Sequence, residues 1–332
     1  MTEGVMGNME ERMSGNYSED MTKDRIENME QSMIEVINVT KKFGSHKALD
    51  QVNMHVPKGA IYGLVGPNGA GKSTIIRHIT GAYRQDAGEI RVKGEIVYEN
   101  ALIKSHMAYI PDDIFYFTQA NLNDMMRFYK DLYPSFDQEL FGNLQECFPT
   151  VHRKHTIRRL SKGMQKQAAF WLAICCRPQL LILDEPVDGL DPVMRRQVWS
   201  LLMSDVAQNG TTVLVSSHNL RELEDVCDHV GIMHHGRLIL EKSLDDLQGS
   251  VSKIQVAFEG EELPELPNGM DILHRTQAGR VHTLIIRGEQ DMIRTQIASL
   301  GPILLDVLPL TLEEIFIYEL GGAEYEVKDI LI

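Results

Sequence analysis

Cysteine is scarce in this 332-residue chain: Cys147, Cys175, Cys176 and Cys227 are the four, and none forms a CxxC pair. Such spacing excludes a zinc ribbon and a disulfide framework and fits a reducing compartment. Cys175 and Cys176 are adjacent on an expected helix and read as core residues. Long apolar runs are missing too. Nothing approaches the roughly 18 residues that a spanning helix needs, and the first residues carry no apolar signal segment. Basic residues are in deficit, 33 Lys and Arg against 47 Asp and Glu. The resulting net charge of −14 argues against a protein that binds nucleic acid by neutralising phosphates. Apolar residues, at 43%, are ample for one large or two moderate domains.

Three regions follow from composition and pattern. Residues 1–33 hold eight acidic and three basic side chains and seven of the 17 methionines. They read as a disordered acidic leader, with a weak amphipathic helix as the alternative, because so little apolar surface offsets the ordering entropy. Residues 34–245 alternate strands with helices, which predicts a parallel sheet whose ligands bind at the carboxyl edge of the strands. Within them, residues 112–176 read as a mostly helical insertion. Two early strands, Ile34 to Val39 and Val52 to Val56, bracket an expected loop over Thr40 to Asp50. Later, Asp137 to Phe148 and Asn219 to Cys227 are expected as helices. From 250 to 332 the pattern changes to a small α+β unit, with a capping-box helix start at Thr311-Leu312-Glu313-Glu314 and a stop at Gly321-Gly322.

The stretch AIYGLVGPNGAGKSTIIRHIT, residues 60–80, carries the strongest chemistry. An apolar strand, Ala60 to Val65, runs into the turn Gly66-Pro67-Asn68-Gly69-Ala70-Gly71, then Lys72, Ser73 and Thr74, then a helix. This is the strand–GxxxxGK[ST]–helix unit. Glycines let backbone N–H groups approach phosphates closely, and the helix start adds unpaired donors. Lys72 is expected on the β- and γ-phosphates and the Ser73 hydroxyl on Mg²⁺. Further on, the buried strand Leu180 to Leu183 ends in Asp184 and Glu185. Asp184 is placed to hold the metal or its waters. Glu185 is placed to take a proton from attacking water. His218 ends the next strand within reach of the γ-phosphate. His234 and His235 read as solvated. Phe43, followed by Gly44, suits stacking on a base, or else packs in a hairpin.

In this order the motifs resemble the ATP-binding subunit of an ABC transporter. The resemblance spans about residues 34–242 and rests on GPNGAGKST at 66–74, LSKGM at 160–164, LLILDEP at 180–186, GLDP at 189–192 and the histidine at 218. It implies a P-loop NTPase core of ABC type: a parallel sheet with flanking helices, an antiparallel β subdomain and a helical insertion, here with a small C-terminal α+β appendage. Two such subunits, identical or not, would close head to tail around two ATP. Ser161 and Gly163 would touch the γ-phosphate held by the other subunit's Lys72, Asp191 would lie across the seam, and Phe43 would stack on adenine. The segment after Asp112 would receive a cytoplasmic helix of a membrane permease on a separate chain, with the ATPase peripheral on the inner face of the membrane. Four positions depart from the family pattern: Lys162 and Met164 in LSKGM, Val187, and Asp112 where a glutamine is usual. Asp112 therefore reads as an extra carboxylate near Mg²⁺. LSKGM and TLEEIFIYELGG at 311–322 are similar to ATPases of ABC-2-type exporters of drugs, peptide antibiotics or envelope components. The alternative is a slow ATP-dependent regulatory clamp on a sensor or partner. No nucleic acid and no stable metal besides Mg²⁺ are expected.

Overall fold

The computed structural model describes residues 32–320 apart from 115, 261 and 268. The leader over 1–31 and the Gly321-Gly322 helix end lie outside the described residues. Strand β1 (Ser32–Phe43) pairs with β2 (His46–Pro57) along its whole length. The expected loop over 40–50 is therefore mostly strand, and only Gly44 and Ser45 turn the chain. Register shifts at Val36/Val39, Val39/Lys41 and Lys41/Lys42 break the two-residue period there, which hid the strand in the sequence. Strand β1 also begins two residues before the expected boundary, with Ser32 and Met33 buried.

The chain continues through β3 (Ile61–Val65), α1 (Lys72–Ile79), β4 (Ala87–Val92), β5 (Glu95–Ile96), α2 (Ala101–Lys104) and β6 (Met107–Ile110). The insertion holds α3 (Leu122–Leu132), α4 (Gln138–Asn143) and α5 (Lys162–Cys175). Helix α4 is half the expected length. Then come β7 (Leu180–Asp184), α6 (Pro192–Asn209), β8 (Thr212–Ser217), β9 (His229–His234) and β10 (Arg237–Ser243). The helix expected over 219–227 is only a 3₁₀ turn, Leu220–Glu222, followed by further turns. The side chains of Ser217 and Asn219 accept the N–H groups of Asn219 and Arg221, and these local bonds compete with a helical start.

Strands β3 and β6 to β10 form one sheet in the order β10-β9-β3-β8-β7-β6, parallel except for β10. Both its faces are covered, which is why its strands read as continuous apolar runs. Ile61, Val65, Leu181, Leu183, Val213 and Val215 face a core shared with α5 and α6. Their neighbours Tyr62, Leu64, Leu180, Ile182 and Leu214 face a second core against α1 and the antiparallel sheet β2-β1-β4-β5. His234, read as solvated, is buried at the end of β9.

The C-terminal part consists of α7 (Leu244–Ser250), β11 (Val251–Ala257), β12 (Asp271–Ala278), β13 (Val281–Arg287), α8 (Gln290–Ala298), β14 (Leu304–Leu308) and α9 (Leu312–Leu320). Its antiparallel sheet, β12-β13-β11-β14, packs on α8 through Ile254, Val256, Leu284, Ile286, Ile293 and Ile297. The capping box at Thr311 and Glu314 forms as expected. Helix α9 then returns to the first unit: Leu312 and Ile315 belong to the same core as Leu220 and Leu223.

The insertion is held by Trp171 on α5. It is fully buried, stacks on Phe148, tilts against Phe141 and donates Nε1–H to the Phe141 carbonyl at 3.0 Å. Trp171→Ala should cost about 3–5 kcal/mol, read as a lower denaturant midpoint. Asp137 caps α4 and meets Arg177. The N–H of Leu140, and then Arg177, hold its carboxyl below the usual range. A lowered folded-state pKa stabilises above the unfolded value and is lost as pH falls through the folded one. Asp137→Asn, which keeps a cap but loses the charge that meets Arg177, should therefore lower stability at neutral pH and flatten the acid limb of a stability–pH curve, the two curves converging as pH falls through the folded-state pKa.

Candidate functional site

Strand β3 sits between β8 and β9, so the glycine loop opens at the carboxyl edge where β7 and β8 also end. The loop is pressed onto β9. A Cβ on Gly66 would lie 2.2 Å from the Met233 carbonyl oxygen, so no larger residue fits. Gly71 starts α1 at φ 110°, a left-handed conformation that favours glycine. No side chain caps this helix and its first turn has no acidic residue. Its first N–H groups therefore point to the site without an intrahelical partner.

Lys72 is buried. Its Nζ donates to the Gly66 carbonyl at 2.6 Å and lies 3.3 Å from Glu185 Oε1. Ser73 Oγ donates to Asp184 Oδ1 at 3.0 Å. Ser216 Oγ donates to the same carboxylate oxygen at 2.6 Å and accepts the Glu185 N–H at 3.1 Å. Glu185 itself adopts φ 47°, which costs a non-glycine residue about 1–2 kcal/mol. From there Oε2 meets His218 Nδ1 at 3.0 Å. Asp188 completes a group with Glu185 and His218 whose donor atoms lie within 4.8 Å of one another. Burial first, and the Asp184 charge second, push the Tyr109 hydroxyl up to about 12.

The structure thus brings Lys72, Ser73, Asp184, Glu185 and His218 into one cluster. Asp112 joins it only indirectly: its Oδ1 lies 3.5 Å from Nζ of Lys166, which donates to the Glu185 carbonyl at 2.7 Å. Ser161 and Asp191 start α5 and α6. Ser161 Oγ accepts the Met164 N–H at 3.3 Å, and Asp191 Oδ1 accepts the N–H groups of Val193 and Met194, both at 3.0 Å. Gly163 sits in the first turn of α5, and its Cβ position faces the Gly189 carbonyl at 3.2 Å. Phe43 is 47% exposed and meets Tyr83 edge-on at 6.0 Å. Two residues escaped the sequence reading. Ser216 showed only as a polar residue inside an apolar strand, and Lys166 only as a cation on the buried face of a helix.

The donor set fits a polyanion with a hard cation: uncapped helix N–H groups, a buried ammonium, and a hydroxyl and carboxylate oxygen in contact. A family model described as ABC transporter matches residues 49–188. The ABC transporter ATP-binding protein YtrB of Bacillus subtilis is 33% identical over 294 residues, 87% of this chain and 99% of that protein. This chain belongs to the ABC transporter ATP-binding proteins. The bacitracin transport ATP-binding protein BcrA of Bacillus licheniformis is 29% identical over 305 residues, 88% of this chain and 98% of that protein. A solved structure of an ATP-binding subunit of an ABC transporter aligns over 65% of this chain and 92% of its own, with TM-score 0.61 and 28% identity. As an ABC ATPase the chain binds ATP, and the ABC fold expected from the motifs is the fold found. Among the described residues no helix is long and apolar enough to cross a membrane.

Ser216→Ala takes the acceptor from the part-buried Glu185 N–H and a buried donor from the Asp184 carboxylate. We expect a loss of about 1–3 kcal/mol in unfolding free energy, measured by chemical denaturation.

Proposed function

We propose that this ABC ATPase closes in pairs around two ATP molecules and powers a membrane-embedded permease carried on a separate chain, exporting a drug, a peptide antibiotic or an envelope component. The observation that carries the catalytic part is the placement of Glu185 between Lys72 and His218, beside the Ser73–Asp184 contact.

In this reading the backbone N–H groups of Gly66 to Thr74 cradle the phosphates, with Pro67, Asn68, Gly69, Ala70 and Gly71 shaping the turn. Lys72 leaves the Gly66 carbonyl for a phosphate oxygen. Ser73 and Asp184 would hold Mg²⁺, which when bound offsets the phosphate charge. The Glu185 carboxylate takes the proton of the attacking water, and His218 orients that carboxylate and the terminal phosphate. Phe43 stacks on the adenine, with Tyr83 backing it. Ser161 and Gly163, at the start of α5, receive the nucleotide held by the other subunit, and Asp191 lies on that seam. Asp112 remains a second-carboxylate candidate near the metal, now with Lys166 as its neighbour.

One feature supports docking on a permease at the cytoplasmic face, and another bears on the cargo. Phe117 and Phe128, 49% and 41% exposed, meet edge-on at 5.1 Å on the insertion that follows Asp112. The relatives' names supply the cargo class, since BcrA is named for bacitracin transport.

The expected result for Glu185→Gln is a fall in turnover of about 10²- to 10⁴-fold, with ATP binding kept and ATP-bound pairs accumulating on size exclusion. Unchanged turnover sinks the base assignment. Co-purification of a subunit with several apolar spans supports transport; a soluble partner with slow turnover supports the regulatory clamp instead.

A further inference from the structure

We infer that Lys166 is a positioning residue for Glu185, holding the backbone of the base from a helix that belongs to the opposite face of the site. The inference rests on the reading of Glu185 as the general base.

Lys166 sits one turn into α5, on its inward face, with its side chain 8% exposed. It spends its ammonium on two groups outside its own helix. One is the Glu185 carbonyl oxygen at 2.7 Å, and the other is Asp112 Oδ1 at 3.5 Å. The Glu185 carbonyl is not an ordinary acceptor. It belongs to a residue at φ 47°, a conformation that a side-chain-bearing residue leaves readily unless its surroundings hold it. Two bonds do so. Ser216 Oγ accepts the Glu185 N–H at 3.1 Å, and Lys166 donates to the Glu185 C=O. With the backbone in this twist the carboxylate bridges Lys72 and His218, 3.3 Å and 3.0 Å away.

The neighbouring helix positions are otherwise employed. Gln165 bonds to the Leu160 carbonyl and takes the Tyr116 hydroxyl on its own carbonyl, while Gln167 accepts from Thr150. Among these three, Lys166 alone reaches the base. Asp112 offsets the charge that α5 thereby buries, which gives the carboxylate after β6 a partner inside this chain.

Helix α5 starts at Ser161 and Gly163. A rigid helix that carries Ser161 at its tip and Lys166 one turn later converts any shift of that tip into a shift of the Glu185 peptide. In a closed pair, the tip senses one nucleotide and the base acts on the other. Lys166 then makes the base of one site depend on occupancy of the second.

The test uses the full chain with steady-state ATP hydrolysis, ATP binding and thermal unfolding measured together. Lys166→Met should lower kcat about 10- to 100-fold, the cost of a slightly misplaced catalytic group. ATP affinity should stay within about threefold, since the lost bond orients the base and not the substrate. Lys166→Arg should restore most of the turnover, because a guanidinium also donates to the carbonyl. In single-turnover assays, adding Lys166→Met to Glu185→Gln should cost almost nothing further, as expected of groups that act through one carboxylate. Turnover near the parent's in Lys166→Met overturns the inference. So does a full second loss on top of Glu185→Gln. If Lys166→Met fails to fold, Lys166→Arg decides: a stable Arg variant with turnover as low as that of Glu185→Gln also overturns it. Undiminished turnover in Glu185→Gln alone removes the base assignment and this inference with it, and that outcome is read from a variant with Lys166 intact.

Discussion

A positive charge that has lost its water organises this protein. The Lys72 ammonium is buried under the glycine loop, and desolvating such a group costs several kcal/mol unless partners compensate. The compensation comes from three sides: the Gly66 carbonyl, the Pro67 carbonyl at 3.4 Å and the Glu185 carboxylate. Each of these is fixed in turn. Gly66 is wedged against Met233 on β9, and Glu185 is pinned by Ser216 on β8 and by Lys166 on α5. The order of strands in the sheet, with β8 between β3 and β7, brings these partners to one edge. The Lys72 bonds to the neutral Gly66 and Pro67 carbonyls are weaker than those an anionic oxygen offers.

The parts of this design that sequence reveals are those whose constraints are local. The glycine loop is legible because the turn demands particular residues at fixed spacing. The strands that end in Asp184 and Ser217 are legible because burial on both faces leaves an unbroken apolar run. Ser161 is legible as a helix start because a cap acts within three residues. Where tertiary contacts decide, the sequence is silent or misleading. Strand β12, from Asp271 to Ala278, has almost no buried residue, so no two-residue period marks it, and it exists through its pairing with β13. Residues 219–227 carry apolar side chains at helical spacing, yet side-chain bonds at Ser217 and Asn219 turn them into successive tight turns. Asp112 reads in sequence as a carboxylate near the metal, and its contact with Lys166 stays hidden there because the two are more than fifty positions apart. Lys166 and Ser216 draw their meaning from the backbone of Glu185, which no spacing rule anticipates.

The charge pattern has a spatial counterpart. Acidic residues dominate the chain and carboxylates are also gathered at the site, so what draws a polyanion there is the buried Lys72 ammonium and the uncapped N–H groups at the start of α1. The clustered carboxylates of Asp184, Glu185 and Asp188 lie beside Lys72, Ser216 and His218, which take up part of their hydrogen-bonding capacity. Salt screens the repulsion between a polyanion and the distant acidic residues, while the contacts at the loop act at hydrogen-bond range.

The last helix gives the small C-terminal sheet a second anchorage. The chain leaves the cassette through α7, whose Leu247 is fully buried, and comes back through α9. There Glu313 takes the Arg221 guanidinium at 2.7 Å, and the Leu312 N–H reaches Glu224 at 2.9 Å. A body hinged at one end swings freely; one riveted at both ends behaves like the handle of a jug. Cutting the chain after residue 245 would undo both anchorages. It would pull Leu247, Leu312 and Ile315 out of the main core and leave the turn just beyond His218 without its brace.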